Sequence, residues 1–203
     1  MIDNLDLIKP LLHFTQPGDF YMLYVFKRKK DQPEGERDNH QSVRTIKTYC
    51  IESCDHLESR YDEIKQLCEV FKARAYIHVQ KQNHYDVSLT MMVQLAQRIQ
   101  DGNHRQKGLF DSVVGQLKTK EKRWIVDIDT KDEIVVHRIA HIVDQLEPVG
   151  PKIEAVIPTP QGYHLITSKF DSTGFNKYLS LQGEVPDVQK RNPTILYYPD
   201  SLV

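Results

Sequence analysis

From Phe20 to Phe26 every position is apolar (FYMLYVF), which reads as a buried strand. The stretch 27–41 is polar, carries Pro33 and Gly35, and is expected to be a loop. Residues 43–51 form a second candidate strand. From Asp55 to Phe71 the apolar period becomes helical, with Leu57, Tyr61, Ile64, Cys68 and Phe71 on one face. Ala75, Ile77 and Val79 then alternate with polar residues, as in a half-buried strand. A helix is predicted over about 85–100, with Leu89, Met92, Ala96 and Ile99 as its core face and Gly102 at its end. A shorter one near 109–118 would bury Phe110, Val113, Val114 and Leu117.

In RWIVDIDTKDEIVVHRIAHIVDQLEP the period switches from 2 to 3.6 at Thr130. Thr130-x-x-Glu133 fits a capping box, so a helix should begin directly after the strand. Its expected core face is Val135, Ile139, Ile142 and Leu146, with Pro148 just beyond its end. Residues 153–157 and 163–167 are predicted strands joined by the turn 158–162, followed by a helix near 173–181 and a last strand at 194–198. Strands and helices mixed in this way favour an α/β or α+β arrangement around one sheet, and no break divides residues 1–203 into two domains.

Composition narrows the partners. The chain has 203 residues, 39% of them hydrophobic, enough for a core. Lys+Arg 27 against Asp+Glu 28 gives a net charge of -1, so binding to nucleic acid must rest on a local patch. No apolar run approaches the ~20 residues that span a bilayer, and MIDNLDLIKP lacks the marks of a signal peptide. A cytoplasmic location and no membrane partner are expected. Cys50, Cys54 and Cys68 are an odd number, which suits a reducing compartment; with His56 they could form a zinc site, but ordinary thiols fit their spacing better.

The sharpest candidate for chemistry is Asp127-Ile-Asp129. On a strand, Trp124, Val126 and Ile128 would face the core, and Ile125, Asp127 and Asp129 the other side. Two carboxylates there repel each other unless a cation lies between them, and all-oxygen ligation suits Mg²⁺ or Mn²⁺. The plainer alternative is a solvated strand end running into an acidic helix start. A second feature is Thr159-Pro-Gln-Gly-Tyr-His164, where a glycine turn delivers a histidine to a strand. Gly162 permits close backbone approach and His164 can donate to a phosphate oxygen, although a plain turn with a surface histidine has the same look. The third is Asp187-Val-Gln-Lys-Arg-Asn-Pro before the strand TILYYP, either a third ligand with phosphate-binding neighbours or a charge-balanced loop. Arg74, Tyr76 and His78 share the polar face of one strand, with Lys81 beside it, and are candidates for contacting template or nucleotide. The basic stretches Lys27–Lys30 and Lys118–Arg123 are solvated faces or tracks for a nucleic-acid backbone.

Taken together, WIVDID at 124–129, TPQGYHLI at 159–166 and DVQKRNPTILYYPDS at 187–201 resemble the archaeo-eukaryotic primase superfamily, above all the primase-polymerase domains of phages and plasmids. The resemblance covers about residues 74–201. It departs from the family pattern in having one glycine where a pair is usual, Gly162 where serine is common, and Gln189 where arginine is common. It implies a mixed sheet flanked by helices, with the acidic strand beside the Gly-His hairpin. It implies a nucleotidyltransferase that makes a DNA or RNA strand from nucleoside triphosphates on a single-stranded template, in phage or mobile-element replication. Asp127, Asp129 and Asp187 would hold Mg²⁺ or Mn²⁺. Gly162, His164 and Thr159 would hold the nucleotide, with Lys131, Lys190 and Arg191 countering its charge. The 203 residues contain no helicase or zinc module, so a helicase would be a separate partner. The alternatives are a non-catalytic nucleic-acid-binding protein on the same fold and a metal-dependent nuclease.

Overall fold

The structure, a computed structural model, describes residues 1–28, 31–32, 43–117, 119, 121–181, 183 and 185–202. Most of the polar stretch 27–41, and the basic residues Lys29, Lys30, Lys118 and Lys120, lie outside that set. The chain begins with β1 (Ile2–Asp3) and the short α1 (Leu5–Ile8), neither of them predicted. The long strands β2 (Asp19–Arg28) and β3 (Val43–Ile51) follow, then α2 (Cys54–Phe71), β4 (Arg74–Ile77) and β5 (Gln82–Asn83). Next come α3 (His84–Gln100), α4 (Leu109–Gln116), β6 (Arg123–Ile128), α5 (Glu133–Gln145), β7 (Ile153–Pro158) and β8 (Tyr163–Ser168). The chain closes with α6 (Ser172–Ser180), β9 (Asp187–Gln189) and β10 (Thr194–Tyr198). No helix among the described residues is long and apolar enough to cross a membrane.

The strands form two sheets where one was expected, and every pairing is antiparallel, so the expected mixed sheet is not what forms. The first sheet has the order β1-β10-β4-β2-β3, with β5 paired to β2. The second has the order β7-β8-β6-β9. Its chain order, β6-α5-β7-β8-α6-β9, is the split βαβ pattern of ferredoxin-like units. The last strand of the chain, β10, then returns to the middle of the first sheet, so the two sheets are interlocked through sequence.

Both faces of the central strands are covered. Tyr21, Leu23, Val25, Ala75 and Ile77 share a core with Leu57, Ile64 and Cys68 of α2. Phe20 and Met22, on the opposite face of β2, meet Val87 of α3 and Val113 of α4. This double burial is why residues 20–26 show no alternation. In the second sheet Trp124, Val126 and Ile128 pack with Val136, Ile139 and Phe175, as the alternation predicts. Ile125 was placed on the opposite face, and there it is fully buried with Ile157 and Ile166 against the first sheet's core. Polar side chains tie the sheets together. Asn4 Nδ2 donates to the carbonyls of Pro158 and Ile195, both at 3.0 Å. The buried Arg123 pairs with Glu154 at 2.6 Å and donates to the Leu11 carbonyl at 2.6 Å.

Several expectations about faces are corrected. On α3 the buried residue is Val87, with Met91 and Leu95 partly buried, whereas Leu89, Met92, Ala96 and Ile99 are exposed. Phe71, at the end of α2, is 43% exposed because Lys72 turns the chain away in the left-handed region at φ 47°. Arg74 and Tyr76 were expected on an open strand face, yet both are buried because the second sheet covers β4. The cap of α5 is Asp132, which accepts from the Ile134 N–H at 2.9 Å, and not Thr130. That shifts its core face to Val136, Ile139 and Val143.

Candidate active site between the two sheets

The two central strands of the second sheet carry the two sharpest motifs. β6 pairs with β8 so that Asp127 lies directly opposite His164. On its other side β6 pairs with β9, which places Asp187 opposite Asp127. Residues directly opposite on paired strands share a face, so Asp187, Asp127 and His164 form one row across three strands. Asp129 follows β6 by one residue and is exposed. Segments sixty positions apart in sequence are thus brought to one sheet end. Residues 187–189, for which the sequence left a third ligand or a charge-balanced loop open, form the edge strand that does this.

The turn before His164 is built around a glycine that nothing can replace in place. A Cβ on Gly162 would lie 1.9 Å from the Ile128 carbonyl oxygen and 2.7 Å from the Thr130 nitrogen. The close approach that the glycine permits is therefore to the end of β6 itself. Thr159 closes the turn: its N–H donates to the Gly162 carbonyl at 2.8 Å, and its Oγ1 accepts from the Gly162 N–H at 3.0 Å. Both residues lock the Gly-His hairpin onto the acidic strand.

His164 is buried and so is not the surface histidine of the plainer alternative, because the first sheet lies over it. Its Nδ1 is 2.9 Å from Thr194 Oγ1, and its Nε2 is 3.3 Å from Asp127 Oδ1. With the proton on Nε2 facing the carboxylate, Nδ1 accepts from the threonine hydroxyl. Thr194 belongs to β10 and is fully buried, so the first sheet orients the histidine. Gln189 Nε2 donates to the second oxygen of Asp127 at 3.0 Å. The bond to His164 holds the Asp127 carboxyl below the usual carboxylate range, against the upward push of burial. Asp127 is thus an anion with one side open to the cleft.

That cleft, of ≈ 100 Å³, lies between Asp127, Asp129, Thr159 and His164 of one sheet and Arg28, Arg74, Tyr76 and Tyr198 of the other. Arg74 pairs with Asp31 at 2.6 Å and lies 4.8 Å from the Tyr198 ring centre. Its Nε, and Asp31 Oδ2, are buried without a hydrogen-bond partner. Arg28 lies over Tyr76, whose other stacking partner is Phe26 at 4.8 Å. On the outer side, a larger cavity of ≈ 490 Å³ is lined by Asp127, Asp129 and Asp187 with Arg138 of α5. Asp127 and Asp129 stand between the two spaces.

Other candidates point elsewhere. Lys190 Nζ lies 4.7 Å from the Trp124 ring centre, on the helix-covered face, and 3.2 Å from Ser172 Oγ. Arg191 donates to the Gly115 carbonyl at 2.8 Å. Lys131 is exposed on the link between β6 and α5. His78 packs edge-on against Tyr24, and burial pushes its ring down to about 4. Lys81 pairs with the buried Asp19 at 3.0 Å. The cysteines are free thiols: Cys68 is in the core, where burial pushes it up to about 12, and Cys50 lies 3.7 Å from the Met22 sulfur. Thr194, Gln189 and Arg138 were not anticipated, and Arg28 was named only within the basic stretch Lys27–Lys30 as a track for a nucleic-acid backbone. Gln189 had a signal, since it lies two residues after Asp187 and so shares its strand face. Thr194 had none, because only tertiary packing brings β10 over His164.

The donor set suits a hard divalent ion in kind: three carboxylates, two of them directly opposed on neighbouring strands, where like charges oppose each other without a cation. As the side chains stand, no group of three or more His, Cys, Asp or Glu among the described residues closes on one point that could hold a metal ion. No protein-family model, curated protein or solved structure matches the chain.

Proposed function

We propose that this chain is a metal-dependent nucleotidyltransferase of primase-polymerase type, joining nucleotides from nucleoside triphosphates into a DNA or RNA strand in phage or mobile-element replication. The observation that carries the reading is the row Asp187–Asp127–His164, of which Asp127 and His164 line a cleft whose opposite wall presents Arg28 and Arg74, while Asp187 lines the outer cavity with Asp127 and Asp129. Acids on one wall and guanidinium groups on the other suit a ligand that is anionic and metal-chelating, as a triphosphate is. Mg²⁺ or Mn²⁺ held by Asp127, Asp129 and Asp187 would supply charge neutralisation and activation of a hydroxyl nucleophile. The protein's own groups do the rest. The Arg28 and Arg74 guanidinium groups would draw an anionic ligand into the cleft, the Tyr76 ring walls it, and Thr194 fixes the ring of His164. Lys131 at the exposed rim adds positive charge. The single-stranded template would lie along the outer cavity beside Arg138.

A second reading, nucleic-acid binding without catalysis, is favoured by one observation: both oxygens of Asp127 are already occupied by His164 and Gln189. Primer extension with labelled nucleotides and Mn²⁺ decides between them. Extension abolished in Asp127→Asn supports the transferase. Strand binding without extension supports the second reading, and strand cleavage would make the chain a nuclease.

A further inference from the structure

The face of α3 that its sequence marks as a core face is turned to solvent. Tyr85, Leu89, Met92 and Ile99 are 45–69% exposed, and Ala96 is exposed with them. They follow one another at intervals of four, three, four and three residues, the seam of a coiled coil. The helix does not need this seam to stay on the fold, because Val87, Met91 and Leu95 on its other side pack against β2 and α4. Five apolar side chains in a strict seam are more than scattered surface residues, and such a patch marks an interaction site.

We propose that α3 pairs with α3 of a second copy of this chain, antiparallel, about a two-fold axis passing between Leu89 and Met92. The spacing of Tyr85, Leu89, Met92 and Ala96, four, three and four, reads the same in both directions. Turning the helix over therefore places Tyr85 opposite the partner helix's Ala96, large against small, and Leu89 opposite its Met92. Charge fits the same orientation. Asp86 lies at the N-terminal end of α3, with Glu52 bonded to His84 there at 3.0 Å. Arg98, Arg105 and Lys107 lie at the C-terminal end, against one acid, Asp101. An antiparallel pair brings the acidic end of one copy to the basic end of the other, whereas a parallel pair brings like ends together. Of the seam's flanking positions Asp86, Ser88, Val93, Leu95 and Gln100 only Asp86 is charged, and an antiparallel pair keeps its two copies at opposite ends. A 17-residue helix is roughly 25 Å long, so the contact is at the small end of specific interfaces and the dimer forms in a concentration-dependent way.

Sedimentation equilibrium of the 203-residue chain tests this. Between about 1 and 100 µM the weight-average mass should rise from 23.7 kDa toward twice that value. Met92→Lys should remain at the monomer mass with an unchanged melting temperature, since the residue it replaces is 67% exposed. Oxidation of a 1:1 mixture of Tyr85→Cys and Ala96→Cys should cross-link the two more than it cross-links either alone. A parent that stays monomeric, or a Met92→Lys protein that associates as the parent does, overturns the proposal. Cross-linking of each cysteine variant chiefly with itself overturns the antiparallel arrangement.

Discussion

Asp127 is the residue on which most of the candidate chemistry converges, and its surroundings make its substitution informative. Mn²⁺ bound to the folded chain alone would stabilise it by about 2.7 kcal/mol at 100-fold excess over its Kd. Thermal melts with and without Mn²⁺ and a nucleoside triphosphate should show that gain in the parent and lose it in Asp127→Asn/Asp129→Asn. Without metal the double variant should be less stable than the parent by about 1 kcal/mol, since the amide at 127 answers His164 with no charge. His164 is a partner in the core as well as a site residue. His164→Ala leaves the Thr194 hydroxyl, which is fully buried, without its partner, so it should cost about 1–3 kcal/mol in chemical denaturation. Thr194→Val removes one bond at constant shape. It should cost less, and weaken nucleotide binding only if the orientation of the ring matters to the ligand.

At the scale of elements, the end of β6 and the start of α5 decide how the acidic motif is presented. The helix begins at Glu133 because Asp132 caps it, which leaves Asp129 to Lys131 as an irregular link in which Asp129 and Lys131 are exposed. Asp132→Ala should destabilise the fold by about 1 kcal/mol, while Thr130→Ala should cost clearly less, as urea melts can resolve. The hairpin joining β7 to β8 is the other fixed point. Gly162→Ala would drive a methyl group into the Ile128 carbonyl, with backbone on both sides and no flexible side chain to yield. It should lower stability by more than the Asp132 change and displace His164 from Asp127. A Gly162→Ala protein with unchanged stability would show that the turn can lift off β6.

For the whole molecule, acid response reads out how the two sheets and their loops are held. His78 has its ring pushed from 6.5 to about 4 by burial, so the unfolded chain takes up its proton first. Its contribution is therefore complete above pH 6.5 and is lost as pH falls from 6.5 toward 4, on the order of 3 kcal/mol. Asp19 is buried, which raises a carboxyl, but bonds from Asn83, Lys81 and the Thr15 and Gln16 N–H groups hold it at about 2. Its contribution is present above the usual 3.8 and is lost between 3.8 and 2, roughly 2 kcal/mol. Stability against pH should thus fall in two steps, and His78→Phe should flatten the upper one alone.

What the chain determines locally is legible without a structure. Sequence reading located β3, β10, α2 and α6 nearly to the residue, and for α2 the reason is its helical spacing of apolar positions. That the D-x-D strand lies beside the Gly-His hairpin was expected from the family resemblance alone, since no local spacing states which strands pair. What only the tertiary structure decided is which surfaces are covered. Alternation cannot say that a second sheet lies over Ile125 and Arg74, and the seam of α3 looks like a core face whether or not anything packs on it. Nor can local spacing say that Thr194, thirty residues after His164, supplies its partner. Burial depends on which distant segments occupy the space beside a strand. That is settled by the return of β10 into the first sheet, a contact between chain segments whose separation leaves no trace in the pattern of either.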